Sequence, residues 1–164
     1  MDRESFTGNR RRKLVPWLVK SEPSVYSIED LRRDQVTSWE GVRNYQARNF
    51  MRDMQPGDKV LFYHSNATPP GVAGIAQVRK RAYPDPTQFD SASPYFDAGS
   101  KNDAPRWDLV EVAFERAFER AVTLEQLRSD AALAGLLVTA RGSRLSVVPV
   151  SDAHFARIVT LAES

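Results

Sequence analysis

The spacing of hydrophobic residues along the chain predicts a domain in which strands outnumber helices. Dense or alternating apolar runs are typical of β-strands, and they occur in six segments: 16–20, 36–39, 59–65, 72–83, 107–114 and 143–150. The third and fourth of these are separated by a short loop with two prolines and a glycine. We therefore expect these two strands to form an antiparallel hairpin.

Apolar residues three and four positions apart predict helices between the strands. In the clearest helix, 44–54, Asn44 stands at the N-cap position, ahead of an apolar stripe formed by Ala47, Phe50, Met51 and Met54. Three shorter helical segments are expected to follow the capping residues Ser27, Thr123 and Ser151.

The hydrophobic pattern does not decide the structure of two segments. The tandem AFERAFER at 113–120 has a helical period of four, but its aromatic residues also suit a strand that continues from 107–114. Residues 84–106 are rich in Pro, Asp, Ser and Gly, which predicts a long loop that is either functional or disordered. Three aromatic residues indicate that this loop packs at least in part: Phe89, Tyr95 and Phe96.

The order of these elements favours an α+β fold, in which helices flank a small, curved, mixed β-barrel. A doubly wound sheet is disfavoured, because the first strand is not followed by a glycine-rich phosphate loop. The 164 residues suffice for one domain, which we place at 15–164. Residues 1–14 lack periodicity and are expected to form a disordered basic tail.

Composition excludes several classes of site. The chain has no cysteine and two histidines, so neither a thiolate centre nor a His-rich metal site is expected. No apolar run reaches the length of a membrane span, and the first residues lack the apolar core of a secretory signal. We therefore expect an intracellular protein with no membrane partner, cytoplasmic in a bacterium or nuclear in a eukaryote.

The charge balance gives a mild indication of binding to polyanions. The formal net charge is +2 and the pI is about 9.0, and four consecutive cations occupy 10–13. Such a run either contacts phosphate, acts as a targeting signal or simply solubilises a tail.

Several motifs resemble the EVE domain family in order and spacing. They are WLVKSEP (17–23), WEGVRNYQARNFM (39–51), GDKVLFYHSN (57–66), GVAGIAQV (71–78), YPDPTQFD (83–90) and RLSVVPV (144–150). The resemblance implies a PUA-like fold, shared with the YTH readers of methylated adenine. It also implies that the chain is a non-enzymatic reader of modified nucleobases, chiefly modified cytosine, in DNA or RNA.

Such a reader needs aromatic faces on which a flipped base stacks, and fixed polar groups that contact the edge of the base. Trp39 is our first candidate for stacking, because it stands at a strand end before Gly41, although a core role is the alternative. Asn44 either caps its helix or offers its amide to a base. Arg43 contacts a phosphate or forms a salt bridge.

Further candidates follow from the resemblance and from strand ends. By resemblance, Lys20 and Ser21 line the pocket, although a lysine there also suits an ordinary strand edge. Tyr63, His64 and Ser65 stand together at the end of a strand. Strand alternation turns His64 to the opposite face from Tyr63 and Ser65, but we expect all three polar groups in the pocket wall.

The long loop and the last strand supply the remaining candidates. Tyr83 and Pro84 open the loop and are candidates for closing one side of the pocket. Trp107 is either a second aromatic wall or core, and Arg144 either pairs with phosphate or braces the pocket.

Catalytic signatures are not evident in the sequence. His64 and Ser65 are adjacent on a strand and point to opposite faces, which is the wrong geometry for a base and its nucleophile. The metalloprotease, EF-hand and zinc-deaminase motifs do not occur. We therefore expect no catalysis and no cofactor. The alternative is a small-molecule-binding domain or enzyme that uses the same pocket.

Overall fold

The computed structural model describes residues 12–164. This part of the chain contains six strands: β1 (Trp17–Ser21), β2 (Val36–Ser38), β3 (Lys59–His64), β4 (Gly71–Pro84), β5 (Asp108–Thr123) and β6 (Val147–Pro149). The helices are α1 (Ile28–Asp34), α2 (Tyr45–Asp53), α3 (Leu124–Ser129) and α4 (Asp152–Glu163). Between residues 12 and 164 there are also three short 3₁₀ turns: Pro86–Phe89, Ala131–Leu133 and Leu137–Thr139.

The strands form one six-stranded mixed sheet in the order β2-β5-β4-β3-β1-β6. β1 and β3 run parallel, whereas the pairs β1–β6, β2–β5, β3–β4 and β4–β5 are antiparallel. The predicted hairpin of β3 and β4 is thereby confirmed. The parallel pair brings the carboxyl ends of β1 and β3 to the same edge, where the Ser65 amide donates to the Ser21 carbonyl at 3.0 Å.

Each face of the sheet carries its own apolar core. Alternation along β3 sends Val60 and Phe62 to the first core and Leu61 and Tyr63 to the second. The first core packs under α1 and α2, through residues that include Leu31, Ala47, Met51 and Met54. The second core packs under α3 and α4, through residues that include Leu127, Leu133 and Ile158.

The helix starts follow the predicted caps. The Asn44 side chain accepts the Ala47 N–H at 2.9 Å, and capping boxes join Ser27 to Asp30 and Thr123 to Gln126. Each of these caps pairs backbone N–H groups that a helix start otherwise leaves without a partner.

The ambiguous tandem at 113–120 belongs to a strand. β5 runs through it because its backbone pairs with β4 as far as Thr123, across several register shifts, while Phe114 N–H donates to Gln35 O at 2.8 Å. The predicted strand at 143–150 is shorter in the structure, because regular pairing with β1 begins only at Val147.

The structure departs from the predicted tail at residues 12–14. Arg12 forms a salt bridge with the buried carboxylate of Asp58 at 2.9 Å, and Lys13 pairs with Asp152 at 2.7 Å. Residues 12–14 are therefore fastened to the domain, although they adopt no regular secondary structure. The rest of the predicted tail, including Arg10 and Arg11, lies outside the described residues.

None of the helices within 12–164 combines the length and the hydrophobicity that crossing a bilayer requires.

Candidate functional site

A cavity of about 680 Å³ opens beside the carboxyl end of β1. Its volume falls within the roughly 300–1,000 Å³ of typical small-ligand sites. Segments from β1, the turn before α1, β2, the 39–43 connection and the long loop surround it. The lining residues are Lys20, Ser21, Val25, Tyr26, Val36, Thr37, Ser38, Trp39, Glu40, Gly41, Val42, Arg43, Tyr95 and Ser146.

Three aromatic side chains line this cavity. Trp39 is 9 % exposed and meets Phe62 edge to face, with ring centroids 5.4 Å apart, so it belongs both to the first core and to the cavity wall. Tyr26 and Tyr95 are half-buried. Burial raises the pKa of Tyr26, whose hydroxyl donates to Asp34 at 2.9 Å. The cavity therefore offers ring surface of the kind on which a planar ligand stacks.

Arg43 braces the cavity from behind. Its guanidinium donates to the carbonyls of Val42 and Tyr95, to the Thr87 hydroxyl and to the Asp85 carboxylate, in five hydrogen bonds of 2.8–3.1 Å. A guanidinium has five N–H groups, so this network occupies its donor capacity. Of the two predicted roles, the structure favours the salt bridge over a phosphate contact.

Asp85 is the anion on which this part of the wall depends. Its side chain has no exposed surface and also accepts the Gly41 N–H at 2.8 Å and two bonds from Thr87. Burial alone would raise the pKa of Asp85, but the hydrogen bonds from Gly41, Thr87 and Arg43 outweigh it and hold that pKa below its usual value.

Gly41 allows a close approach, and the approaching group is the chain's own Tyr95. The residue has φ +85°, and a Cβ added there would lie 2.7 Å from the Tyr95 ring. The Arg43 guanidinium also lies over this ring, 5.7 Å from its centroid. Tyr95 is therefore held between a glycine and an arginine at the cavity wall.

Polar groups from β1 and from the segment before β6 complete the lining. The Ser21 hydroxyl donates to the Tyr26 carbonyl at 2.6 Å, which fixes the turn before α1. The Lys20 ammonium lies 3.4 Å from the Ser143 carbonyl, and burial lowers its pKa. Ser146 adds a hydroxyl beside them.

The long loop is ordered by a buried amide. Gln88 donates to the carbonyls of Asp85 and Trp107 at 2.7 Å, and its oxygen accepts from Ser100 at 2.5 Å and from the Arg106 and Trp107 amides. These bonds tie the start of the loop to its end. The loop is thus a fixed wall rather than disordered chain.

Trp107 is buried and stands behind Arg43, away from the cavity lining. Its indole donates to Asp97 at 2.7 Å, stacks on Tyr45 at 4.7 Å and lies under the Arg43 guanidinium at 5.5 Å. Of the two roles predicted for this residue, the structure favours packing.

The structure does not bring the other candidates into the lining. Asn44 is exposed and caps α2, and Tyr63 faces the second core on the opposite side of the sheet. His64 Nε2 accepts the Ile28 N–H at 3.1 Å, and burial lowers the pKa of this histidine. Ser65 stands behind Ser21, to which its backbone is bonded.

The remaining candidates lie around the cavity. The Tyr83 hydroxyl donates to Glu111 at 2.6 Å, with Ser38 as a further hydrogen-bonding neighbour, so Tyr83 borders the lining from β4. The hydrogen bond to Glu111, with burial, raises the pKa of Tyr83. Pro84 is exposed at the end of β4, and Arg144 is exposed two residues before Ser146.

Sequence reasoning missed Tyr26, Thr37 and Asp85. Tyr26 and Thr37 flank a short helix, and the apolar pattern does not mark them. Asp85 stands between two prolines in a segment where acidic residues are common. The aromatic content of the loop was the available signal for Tyr95.

The fold and the cavity together define a PUA-like α+β domain, with a ligand-sized recess at one edge of a mixed sheet. An ASCH protein from Zymomonas mobilis shares this fold, with a TM-score of 0.54 at 9 % identity over 89 % of this chain and 97 % of that protein. The model of the EVE domain matches residues 16–161, and the chain belongs to the EVE domain family.

Relatives and solved structures agree with this assignment. Human thymocyte nuclear protein 1 is 41 % identical over 90 % of this chain and 73 % of its own length. A Pseudomonas putida structure has a TM-score of 0.88 at 48 % identity and covers 90 % of this chain and 99 % of its own. Human THYN1 in complex with DNA that contains 5-methylcytosine has a TM-score of 0.85 at 41 % identity, with coverages of 92 % and 98 %.

Proposed function

We propose that this protein binds nucleic acid that carries a modified base, with modified cytosine as the preferred base and the cavity beside β1 as its site. The observation that carries the proposal is the similarity to human THYN1, which was crystallised with 5-methylcytosine DNA. The aromatic lining of the cavity supports the same role.

In this proposal the base leaves its stack and enters the cavity. Unstacking costs a few kcal/mol, and each aromatic contact to a base returns about 1–3 kcal/mol. Trp39 is the proposed stacking partner, since the first core holds its indole against Phe62. Lys20, Ser21 and Ser146 are the proposed polar contacts to the base or its sugar.

A methyl group adds only about 0.8 kcal/mol when it is buried. Preference for a methylated base therefore requires a wall that closely fits the added carbon. Gly41, Arg43 and Tyr95 form the wall that we propose for this fit, because Asp85 fixes the backbone of the wall and the Arg43 guanidinium has no donor left to exchange.

We further propose that the protein binds without catalysis. His64 Nε2 already accepts the Ile28 N–H, so its lone pair is not available to activate a nucleophile. The competing proposal is a small-molecule-binding domain or enzyme that uses the same cavity. Among the contacts of the described residues, none specifically favours it.

Fluorescence anisotropy with matched duplexes and single strands, each with cytosine or 5-methylcytosine at one position, tests the proposal. We expect tighter binding to the methylated oligonucleotides, with DNA and RNA versions compared in parallel. Equal affinity for the two bases at moderate salt would contradict it. Thermal stabilisation by non-nucleic small molecules, with none by 5-methylcytidine, would favour the competing proposal.

Trp39→Phe tests the site itself. We expect affinity for 5-methylcytosine to fall about tenfold, which corresponds to about 1.4 kcal/mol. Trp17→Phe is the matched control, because Trp17 is buried in the same core but does not line the cavity. If the two variants bind alike, the stacking role of Trp39 is wrong.

A further inference from the structure

Three consecutive cations stand exposed on β4: Arg79, Lys80 and Arg81. We call this segment the β4 cation run. Many arginines of the domain are neutralised by a carboxylate, as in the pairs Arg43–Asp85, Arg52–Asp108 and Arg157–Asp130. Within residues 12–164, none of the three cations of the run has a salt-bridge partner.

Sheet register places the β4 cation run close to the cavity. Ser38, which lines the cavity, pairs with Glu111 on β5, and Glu111 pairs with Lys80 on β4. Adjacent strands lie about 4.8 Å apart, so two strand spacings separate Lys80 from the cavity rim by about 10 Å. That span corresponds to about three nucleotide rises of roughly 3.4 Å along one strand of a duplex.

Side-chain contacts connect the run to the rim. The Lys80 ammonium lies 4.6 Å from the centroid of the Tyr83 ring, and the Tyr83 hydroxyl contacts Glu111 and Ser38. Because Glu111 accepts from Tyr83, the acidic group opposite Lys80 is already engaged. The side chains of Arg79, Lys80 and Arg81 are all exposed, so the positive charge of the run faces solvent.

The strand is irregular at this point. The register of β4 against β5 shifts between Val78 and Lys80 and again between Lys80 and Tyr83. Such shifts bend a strand and change the direction of its side chains. They account for three successive residues that are all exposed, where a regular strand on a packed sheet would turn alternate residues inward.

We propose that the β4 cation run binds the phosphodiester backbone of the nucleic acid whose modified base occupies the cavity. This inference rests on the proposed function and assigns to it a second contact surface. Arginine and lysine contacts to phosphate set the position of the ligand without reading its sequence. The run would hold the flanking phosphates while the cavity selects the base.

The test is the salt dependence of binding. Arg79→Gln/Arg81→Gln removes two charges, while Lys80 keeps its place on Tyr83. We expect weaker binding to methylated and unmethylated duplexes by the same factor. We also expect the slope of log K against log salt to fall by about 1 for each phosphate that the variant no longer neutralises.

Arg120→Gln/Arg128→Gln is the matched control. It removes the same charge from two exposed positions, Arg120 in β5 and Arg128 in α3, and Arg120 lies about 30 Å along β5 from Glu111. We expect its slope to stay at the wild-type value. Circular dichroism and thermal melting of both variants establish that each is folded.

Three results would overturn the inference. The first is a salt slope that falls equally in both variants, and the second is a changed preference for methylated over unmethylated duplex. The third is that Arg79→Gln/Arg81→Gln weakens binding to anionic vesicles more than it weakens binding to DNA. Wild-type protein that binds DNA without preference for 5-methylcytosine would contradict the proposed function instead. The slope comparison still decides the role of the β4 cation run in that case.

Discussion

The two walls of the cavity are built by different physical means. Trp39 and Val42 form one wall, and behind them the first core packs Phe62 and Met51. The other wall belongs to the loop between β4 and β5, where the buried polar groups of Asp85 and Gln88 fix the backbone. Apolar packing tolerates small adjustments, whereas a buried hydrogen-bond network holds one geometry. The loop wall is therefore where we expect ligand selectivity to be set.

Of the substitutions that test the difference between the two walls, Asp85→Asn should have the largest effect on stability and affinity. Asparagine leaves Arg43 without its counter-charge and places an amide donor among N–H donors, so we expect a loss of about 3 kcal/mol in unfolding free energy. We also expect affinity for 5-methylcytosine oligonucleotides to fall at a temperature where the variant is folded. Urea unfolding and anisotropy measure the two quantities.

Met51→Ala is the control from the opposite wall. Met51 is a fully buried residue of α2 and does not line the cavity, so its truncation should cost about 2–5 kcal/mol of stability. Affinity of the folded fraction should be unchanged. Were both variants to lose affinity in proportion to stability, the distinction between the two walls would be wrong.

Gly41→Ala is a smaller change that tests the contact between Gly41 and Tyr95 of the loop wall. The added methyl group would meet the Tyr95 ring at 2.7 Å on a backbone with positive φ, so we expect a loss of about 1–3 kcal/mol. Gly41→Ala combined with Tyr95→Ala should recover part of that stability but not the affinity. A double variant no more stable than Gly41→Ala alone would show that backbone strain, rather than the Tyr95 ring, sets the cost.

The smallest expected effect concerns pH and His64. Burial lowers the pKa of His64 in the folded state, so the unfolded chain takes up its proton first as pH falls below the ordinary value of 6.5. Stability from this group is present above that pH and is lost as pH falls through the folded-state pKa. Protonation of Nε2 would also break its bond to the Ile28 amide.

His64→Gln should flatten the decline of melting temperature between about pH 7 and about pH 5. His154→Gln removes the chain's other histidine and serves as the control. An unchanged decline in His64→Gln would assign the pH dependence to other groups.

Periodicity predicted the elements whose burial is regular. The α2 stripe and the caps at Asn44, Ser27 and Thr123 appear in the structure because each follows from local spacing and backbone geometry. β5 was only half predicted, since AFERAFER fits two periods and only pairing with β4 decides between them. Long-range pairing of this kind leaves no local signature.

For the cavity as well, some residues could be predicted from the sequence and others could not. Positions at strand ends and the family resemblance identify Trp39, Lys20, Ser21 and Arg43 as candidates, and these residues do line it. Neither the importance of Asp85 nor the role of Arg43 could be decided from the sequence. Both depend on residues more than forty positions apart that meet only in the folded chain.

The separation of two apolar cores by one sheet has a consequence for how this protein can change. The cavity draws on the first core alone, while α3 and α4 cover the second on the far face. Substitutions at Leu133 or Ile158 are thus separated from Trp39 by a layer of hydrogen-bonded backbone, and distant sites combine additively. α3, α4 and the second core beneath them can therefore diverge, accept a fused partner or be redesigned for thermal tolerance, while the recognition surface keeps its shape.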